Sequence, residues 1–319
     1  MNTTERKPAI VDYDTGGYDY RGFWQGKDYE HWSETRALRA AIRHLGRPRW
    51  LVDFGGGFGR NAAHYRDRVD HSVLVDYSRT NLTRAAQLHG DDIAAGRMFL
   101  VRADLNQLPF VDAAFDSAIV VRVLHHLPDL NRTLAEMGRT IGRSWILDVP
   151  IKHHALGMVR ATMKRDLKSL RNDVPRQTGS TEFPFFNFNL NTVRETLHSE
   201  HWDTTLLASV NNFRRWDRRL PGAAVKGLSP LVHVLERSMQ GVGKGWWGPS
   251  QFVLALRQSP SDPSLQGLDE LGEQTHAEFA RRMTCPSCRQ PLQWSTDSAH
   301  CASCGRDFKN NGAYWNFAD

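Results

Sequence analysis

Val52-Asp53-Phe54-Gly55-Gly56-Gly57-Phe58-Gly59-Arg60 sets a carboxylate near the end of an apolar strand and then glycines at alternate positions, 55, 57 and 59. Glycine turns the chain sharply and lets a ligand touch backbone, and a helix starting just beyond presents amides that have no intrahelical acceptor. Seventeen residues past Gly59, Asp76 closes a second apolar run, where a carboxylate can accept both hydroxyls of a ribose. A glycine-rich turn alone satisfies turn geometry and nothing more. With a strand before it and an acid ending the next strand, it implies a nucleoside ligand. A dinucleotide dehydrogenase stays open at this point: counted from Gly55 the last position of G-x-G-x-x-G is Arg60, but counted from Gly57 it is Ala62, which the pattern admits.

Outward from this loop, apolar strands alternate with helical patterns. Ser33 opens a helix with Ala37, Leu38, Ala41, Ile42 and Leu45 on one face, stopped by Gly46 and Pro48. Strands follow at Trp50 to Phe54, Val73 to Val75, Met98 to Arg102, Ser117 to Val121 and Trp145 to Val149, with helices near Thr80 to Leu88 and Asn131 to Thr140. Strict alternation predicts a parallel sheet covered on both faces. After Pro150 it breaks into a basic helical stretch, Lys152 to Arg171, and an aromatic run, Phe183 to Phe188. A helix at Asn191 to Ser199 and strands near Thr204 to Val210 and Phe252 to Leu256 then complete the sheet. The expected organisation is a helical and aromatic lead-in at 1–48, a main domain at 49–257 with insertions at about 151–189 and 213–250, a linker at 258–282 and a cysteine module at 283–319.

The chain resembles the class I S-adenosylmethionine-dependent methyltransferases of the type-11 family over roughly residues 50 to 150. The resemblance rests on Asp53-x-Gly55-x-Gly57-x-Gly59, Val75-Asp76-Tyr77-Ser78, Ala103-Asp104-Leu105 with Leu108-Pro109-Phe110, Phe115-Asp116, and Val121 through Asp129 with His125 and His126 inside it. It implies a doubly wound α/β fold with a mostly parallel, Rossmann-like seven-stranded sheet, and S-adenosyl-L-methionine as cofactor. Carried over, the pattern has Asp53, Gly55, Gly56, Gly57 and Gly59 line the methionine part of the cofactor. Asp76, with Tyr77 beside it, holds the ribose, Asp104 and the Leu105 amide recognise adenine, and Arg122 opens onto the cofactor. The sequence departs from the family at Gly56, where many relatives carry Cys or Ser, and at Ile141-Gly142-Arg143-Ser144, which replaces a Pro-Gly-Gly turn.

A methyl sulfonium is already electrophilic, so the protein's main task is to align an acceptor and exclude water. A general base matters only for a hydroxyl or a protonated amine. His125 and His126 are the candidates, against the alternative that they pack or cap the next helix. Tyr29, Glu30 and His31 are candidates for a lid on the cofactor, or else pack a helix on the sheet. Asn211, Arg214 and Arg215 are candidates for reaching the pocket, or else are solvated, as the basic stretch from Lys152 is expected to be.

All four cysteines lie in Cys285-Pro-Ser-Cys288 and Cys301-Ala-Ser-Cys304-Gly305, two knuckles separated by twelve residues. That spacing closes a thiolate tetrahedron around Zn²⁺ and leaves no open coordination position, so the expected metal is structural. The module resembles small zinc-ribbon activators of methyltransferases. Support of the fold is the first expectation, with Trp294 and Phe308 as apolar contacts, and RNA or protein contact the second.

No apolar run is long enough for a membrane span, and Met1 to Ile10 has no signal-like pattern, so a cytoplasmic protein is expected. A net charge of +6 suits an anionic partner, yet the basic residues are interspersed with acids. The expected function is methyl transfer to a small-molecule or lipid-like acceptor. An RNA methyltransferase that uses the ribbon, and a non-catalytic cofactor-binding regulator, are kept as alternatives; the oligomeric state is not legible.

Overall fold

The computed structural model describes residues 14, 25–166, 168, 172–179, 184–260 and 275–318. Of the lead-in aromatics, Tyr13, Tyr18, Tyr20, Phe23 and Trp24 lie outside the described residues, as do Arg171, Phe183 and most of the expected linker.

The parallel strands are β1 (Trp50–Phe54), β2 (His71–Asp76), β3 (Met98–Arg102), β4 (Phe115–Val120) and β5 (Ile141–Pro150). A hairpin, β6 (Arg176–Gly179) and β7 (Pro184–Asn187), stands apart, and β8 (Trp202–Val210) and β9 (Ser250–Arg257) return to the sheet antiparallel. The core order is β3-β2-β1-β4-β5-β9-β8, the seven strands expected. Successive side chains feed opposite faces: Val52 and Phe54, Val73 and Val75, Trp145 and Leu147 enter one apolar cluster, while Leu51, Leu74 and Ile146 between them enter the other. Strands that send apolar side chains to both faces are what a sheet covered on both faces requires.

One face is covered by α1 (Asp28–Ile42), α2 (Ala62–Tyr65) and α3 (Arg79–Leu88), which is followed by a short α4 (Gly90–Ala94). The other takes α5 (Leu130–Arg139), whose Leu130, Leu134 and Met137 share one side. Helix α1 begins at Asp28, five residues before Ser33, because Asp28 and Glu30 suit a first turn and Tyr29 is buried. Strand β5 begins at Ile141, so the expected turn at 141–144 is instead strand, accommodated by a shift of register against β4 between Phe115 and Ser117.

The insertions supply α6 (Ala155–Met163) and α8 (Gly222–Val242), and α7 (Leu190–Ser199) lies between them. Lys152 is not on a solvated face: it is buried, and its ammonium donates to Asn172 O and Oδ1 at 2.6 Å and to Val174 O at 2.8 Å. Arg160, Lys164, Arg165 and Lys168 are exposed.

At the C-terminal end α9 (Thr275–Arg281) closes the segment read as linker, with Phe279 stacked on Phe99 at 4.3 Å. Strands β10 (Gln293–Trp294), β11 (Ser298–His300), β12 (Asp307–Asn310) and β13 (Trp315–Asn316) follow. The cysteine module is an extension of the main sheet: β13 pairs in parallel with β3, Trp315 opposite Val101, giving eleven strands in all. Phe308 is buried in the core and Trp294 packs against it, meeting Trp315 edge-on at 4.8 Å.

Candidate active site and metal centre

The glycine loop leaves the carboxyl end of β1 with Gly55, Gly57 and Gly59 all left-handed, at φ of 63°, 61° and 82°. A Cβ at Gly55 would sit 2.4 Å from Val123 Cγ2, and one at Gly59 would sit 2.4 Å from His89 Nε2. Both positions therefore need glycine for conformation and for space. At Gly56 a Cβ would meet Leu74 Cγ at 2.8 Å and the Asp53 carboxyl carbon at 3.0 Å, so in this chain even a small side chain there requires movement. The helix that follows, α2, is a single turn preceded by further turns, and the Gly57 amide of the loop is already taken by Asp76.

Asp76, at the end of β2, lies across from this loop. Its Oδ2 accepts from the Gly57 amide at 2.8 Å and its Oδ1 from the Ser78 amide at 2.9 Å. Burial raises its pKa, against these hydrogen bonds. Asp53 is buried and accepts only from Tyr65 Oη, at 3.2 Å; its Oδ1 has no hydrogen-bond partner among the described residues. Burial pushes its pKa up to about 7, opposed by Tyr65 and the nearby Arg60. An unsatisfied carboxylate oxygen beside a glycine loop is a seat for a ligand donor.

Asp104 and Leu105 follow β3. The Ala103 amide bonds Asp76 O at 3.3 Å, which places the two strand ends side by side, and Asp104 Oδ1 accepts from Asn106 N at 2.8 Å and Nδ2 at 3.0 Å. Leu105 packs partly buried against the core. Tyr77 is held by Arg102, whose Nε donates to Tyr77 O at 2.9 Å and whose guanidinium lies 4.7 Å from the ring centre.

Arg122, just past β4, is left-handed at φ 60° without being glycine, a conformation met mainly where function or packing demands it. Its amide donates to Asp148 Oδ2 at 3.2 Å, and its guanidinium pairs with Glu34 at 3.5 Å. Glu34 also takes Arg60, and Ser250 donates to Asp148. Burial and the Glu34 charge bring the Asp148 pKa to about 6. Lys27 is lowered to about 8 by burial and by Arg122, Arg218 and Arg214, against Glu30.

His125 and His126 form a one-turn helix, rings 4.0 Å apart, capped by Phe185 of β7 at 5.1 and 5.3 Å. Burial and the neighbouring Arg122 hold His126 at about 3, and burial with His126 holds His125 well below its usual range. Both are neutral near pH 7.

The lid candidates separate. Tyr29 faces away, its hydroxyl donating to Glu236 at 2.5 Å, and Glu30 pairs with Arg218 at 3.5 Å. His31 alone reaches the loop's edge, with Nδ1 3.2 Å from Arg60. Asn211 is buried at φ 60°, its amide donating to Ser33 Oγ at 3.0 Å, while Arg215 is exposed. Sequence reading missed Asp14, whose carboxylate accepts from Ser78 Oγ and the Arg79 amide at 2.7 Å, and it missed Glu34, Asp148 and Ser250. Single polar residues without motif spacing carry no signal of that kind.

The four cysteine Sγ atoms lie within 4.8 Å of one another, with Cys285 to Cys304 at 3.5 Å and Cys288 to Cys301 at 3.4 Å. Zinc–thiolate bonds of about 2.3 Å give tetrahedral edges of about 3.8 Å, so the set fits that ion. The two knuckles match: the Arg289 amide returns to Cys285 O and the Gly305 amide to Cys301 O, both at 2.8 Å, and both residues are left-handed. The cysteine module contacts the loop after β3. Gln107 Nε2 donates to Pro286 O at 2.9 Å, and the Thr284 amide to Pro109 O at 2.9 Å. Arg289 pairs at 2.7 Å with Glu136, whose other oxygen takes the Leu108 amide at 2.9 Å.

Residues 52–143 match a family model described as a methyltransferase domain. An O-methyltransferase of Penicillium expansum is 27% identical over 144 residues, 43% of this chain and 51% of the relative. A putative methyltransferase of Encephalitozoon cuniculi is 35% identical over 114 residues, 35% of this chain and 48% of the relative. The chain spans about half the length of these curated relatives. A solved S-adenosylmethionine-dependent methyltransferase of Thermotoga maritima, described as a possible histamine N-methyltransferase, is 16% identical with a TM-score of 0.49, covering 77% of this chain and 98% of its own. No helix among the described residues is long and apolar enough to cross a membrane.

Proposed function

We propose that the chain is an S-adenosylmethionine-dependent methyltransferase acting on a small-molecule or lipid-like acceptor. The observation that carries this reading is the left-handed glycine loop facing Asp76 through the Gly57 amide, within the segment that matches the methyltransferase domain. Asp53 and the loop amides would hold the amino-acid end of the cofactor, Asp76 with Tyr77 its ribose, and Asp104 with the Leu105 amide its base. The cofactor, when bound, supplies an electrophilic methyl group.

What the chain itself contributes is alignment and electrostatics. Two half-buried neutral histidines with lowered pKa values are weak bases, so His125 and His126 are better suited to packing with Phe185 than to removing a proton from an ordinary alcohol. The cations Lys27, Arg122 and Arg214 near the loop end would favour an acceptor able to ionise, such as a phenol, an enol or a carboxylic acid. The curated relatives described as O-methyltransferases support an oxygen acceptor. The expected outcome of an acceptor screen with labelled cofactor is turnover with acidic hydroxyls and none with tRNA or rRNA; turnover with RNA alone would refute this acceptor class. Zinc, in this reading, folds the ribbon and takes no part in chemistry.

A further inference from the structure

Helix α8 has its polarity reversed. An ordinary surface helix buries its apolar stripe. Here the inward face is polar: Glu236 is fully buried, accepting from Tyr29, Ser33 and Asn212, and Gln240 beside it donates to Ser33 O. The apolar residues point outward. Leu228, Leu231, Leu235 and Val242, at steps of three, four and seven residues, fall on one face and are 43%, 56%, 43% and 70% exposed. The helix's single acid is the buried Glu236, so the charges it presents to solvent are the cations Lys226 and Arg237, with Lys244 just beyond its end. Trp246 follows, 44% exposed.

Helix α6 starts against the turn that closes α8, the Ala155 amide donating to Trp247 O at 3.2 Å. It repeats the composition, with Leu156, Val159 and Met163 exposed among Arg160, Lys164 and Arg165, and no acid between 155 and 165. Both helices belong to the insertions that follow β5 and precede β9. They therefore lie at the sheet edge on which the glycine loop and Asp76 open.

We propose that this face is a docking surface for an anionic lipid bilayer. Exposed apolar side chains among Lys226, Arg237, Arg160, Lys164 and Arg165, with Asp166 the acid just past α6, match a surface that offers anionic headgroups above an acyl layer, and an interfacial tryptophan suits that boundary. Docking of this kind turns the site edge of the sheet toward the membrane. It does not depend on the methyltransferase reading, since none of the residues it rests on is among those assigned to the cofactor.

The test is co-sedimentation of the full, zinc-loaded chain with phosphatidylcholine vesicles with and without phosphatidylglycerol. The expected result is binding to the anionic vesicles, weakened by salt and by omission of phosphatidylglycerol. The double variant Leu231→Asp, Leu235→Asp should lose at least about ten-fold in partitioning. Lys226→Glu with Arg237→Glu should lose about five-fold or more per charge, thermal unfolding staying unchanged in both. Absence of binding to anionic vesicles, or leucine variants that bind as well as the parent, overturns the proposal. So does a dimer, seen by light scattering, that the leucine variants dissociate while vesicles are ignored; the face would then belong to a second copy of the chain.

Discussion

Gly59 shows what single residues contribute to the site. Its φ of 82° and the 2.4 Å approach of a would-be Cβ to His89 are independent demands. Gly59→Ala should lower unfolding stability by about 1–2 kcal/mol from conformation alone, more with the crowding, and should weaken cofactor binding further. A calorimetric scan and a titration of the same sample would show both losses. Asp53 leads to a pH dependence. Its folded pKa, about 7, lies above the unfolded value near 4, so the native state holds the extra proton between the two. Its contribution to apo-protein stability is therefore fully present below about pH 4 and declines as pH rises to about 7, by something on the order of a few kcal/mol. Asp53→Asn should raise the apo melting temperature at pH 8 and leave it almost unchanged at pH 4, while impairing cofactor binding; a lower melting temperature at pH 8 would contradict the assignment. Asp53, Asp76 and the glycines could be read from the chain because their spacing follows strand and turn geometry. Asp14 and Asp148 could not, because their partners are set by tertiary packing.

Among the elements, β3 and the loop after it join the two halves of the molecule. Arg102 bonds Tyr77 on one side and Asn316 of β13 on the other, at 3.0 Å, while Glu136 bridges the Leu108 amide to Arg289. Removing zinc from the ribbon should therefore loosen residues 104–111. Chelation is expected to speed amide exchange in that loop and to weaken S-adenosylmethionine binding by about ten-fold, whereas an unchanged affinity in metal-free protein would show that the ribbon leaves the loop alone. Two C-x-x-C knuckles announced the module in the sequence. Its docking against β3 was not legible, because a two-residue strand such as Trp315–Asn316 has no periodicity to detect. The same limit explains α8, whose apolar pattern reads equally well as buried or exposed until the partners of Glu236 are known.

For the molecule as a whole, strand alternation specified the doubly wound core, since strands apolar toward both faces and intervening amphipathic helices leave few other arrangements. The insertions were visible only as breaks in that rhythm, although they form the hairpin over His125 and the exposed apolar face. The central claim, that the glycine loop and Asp76 form a site for S-adenosylmethionine, is tested most directly by calorimetric titration of the zinc-loaded chain with S-adenosylmethionine and with NADH, repeated on Asp76→Ala. Binding of S-adenosylmethionine, silence with NADH and at least about a hundred-fold loss in a folded Asp76→Ala protein are predicted. Binding of NADH instead, or an Asp76→Ala protein that binds as tightly as the parent, would contradict it.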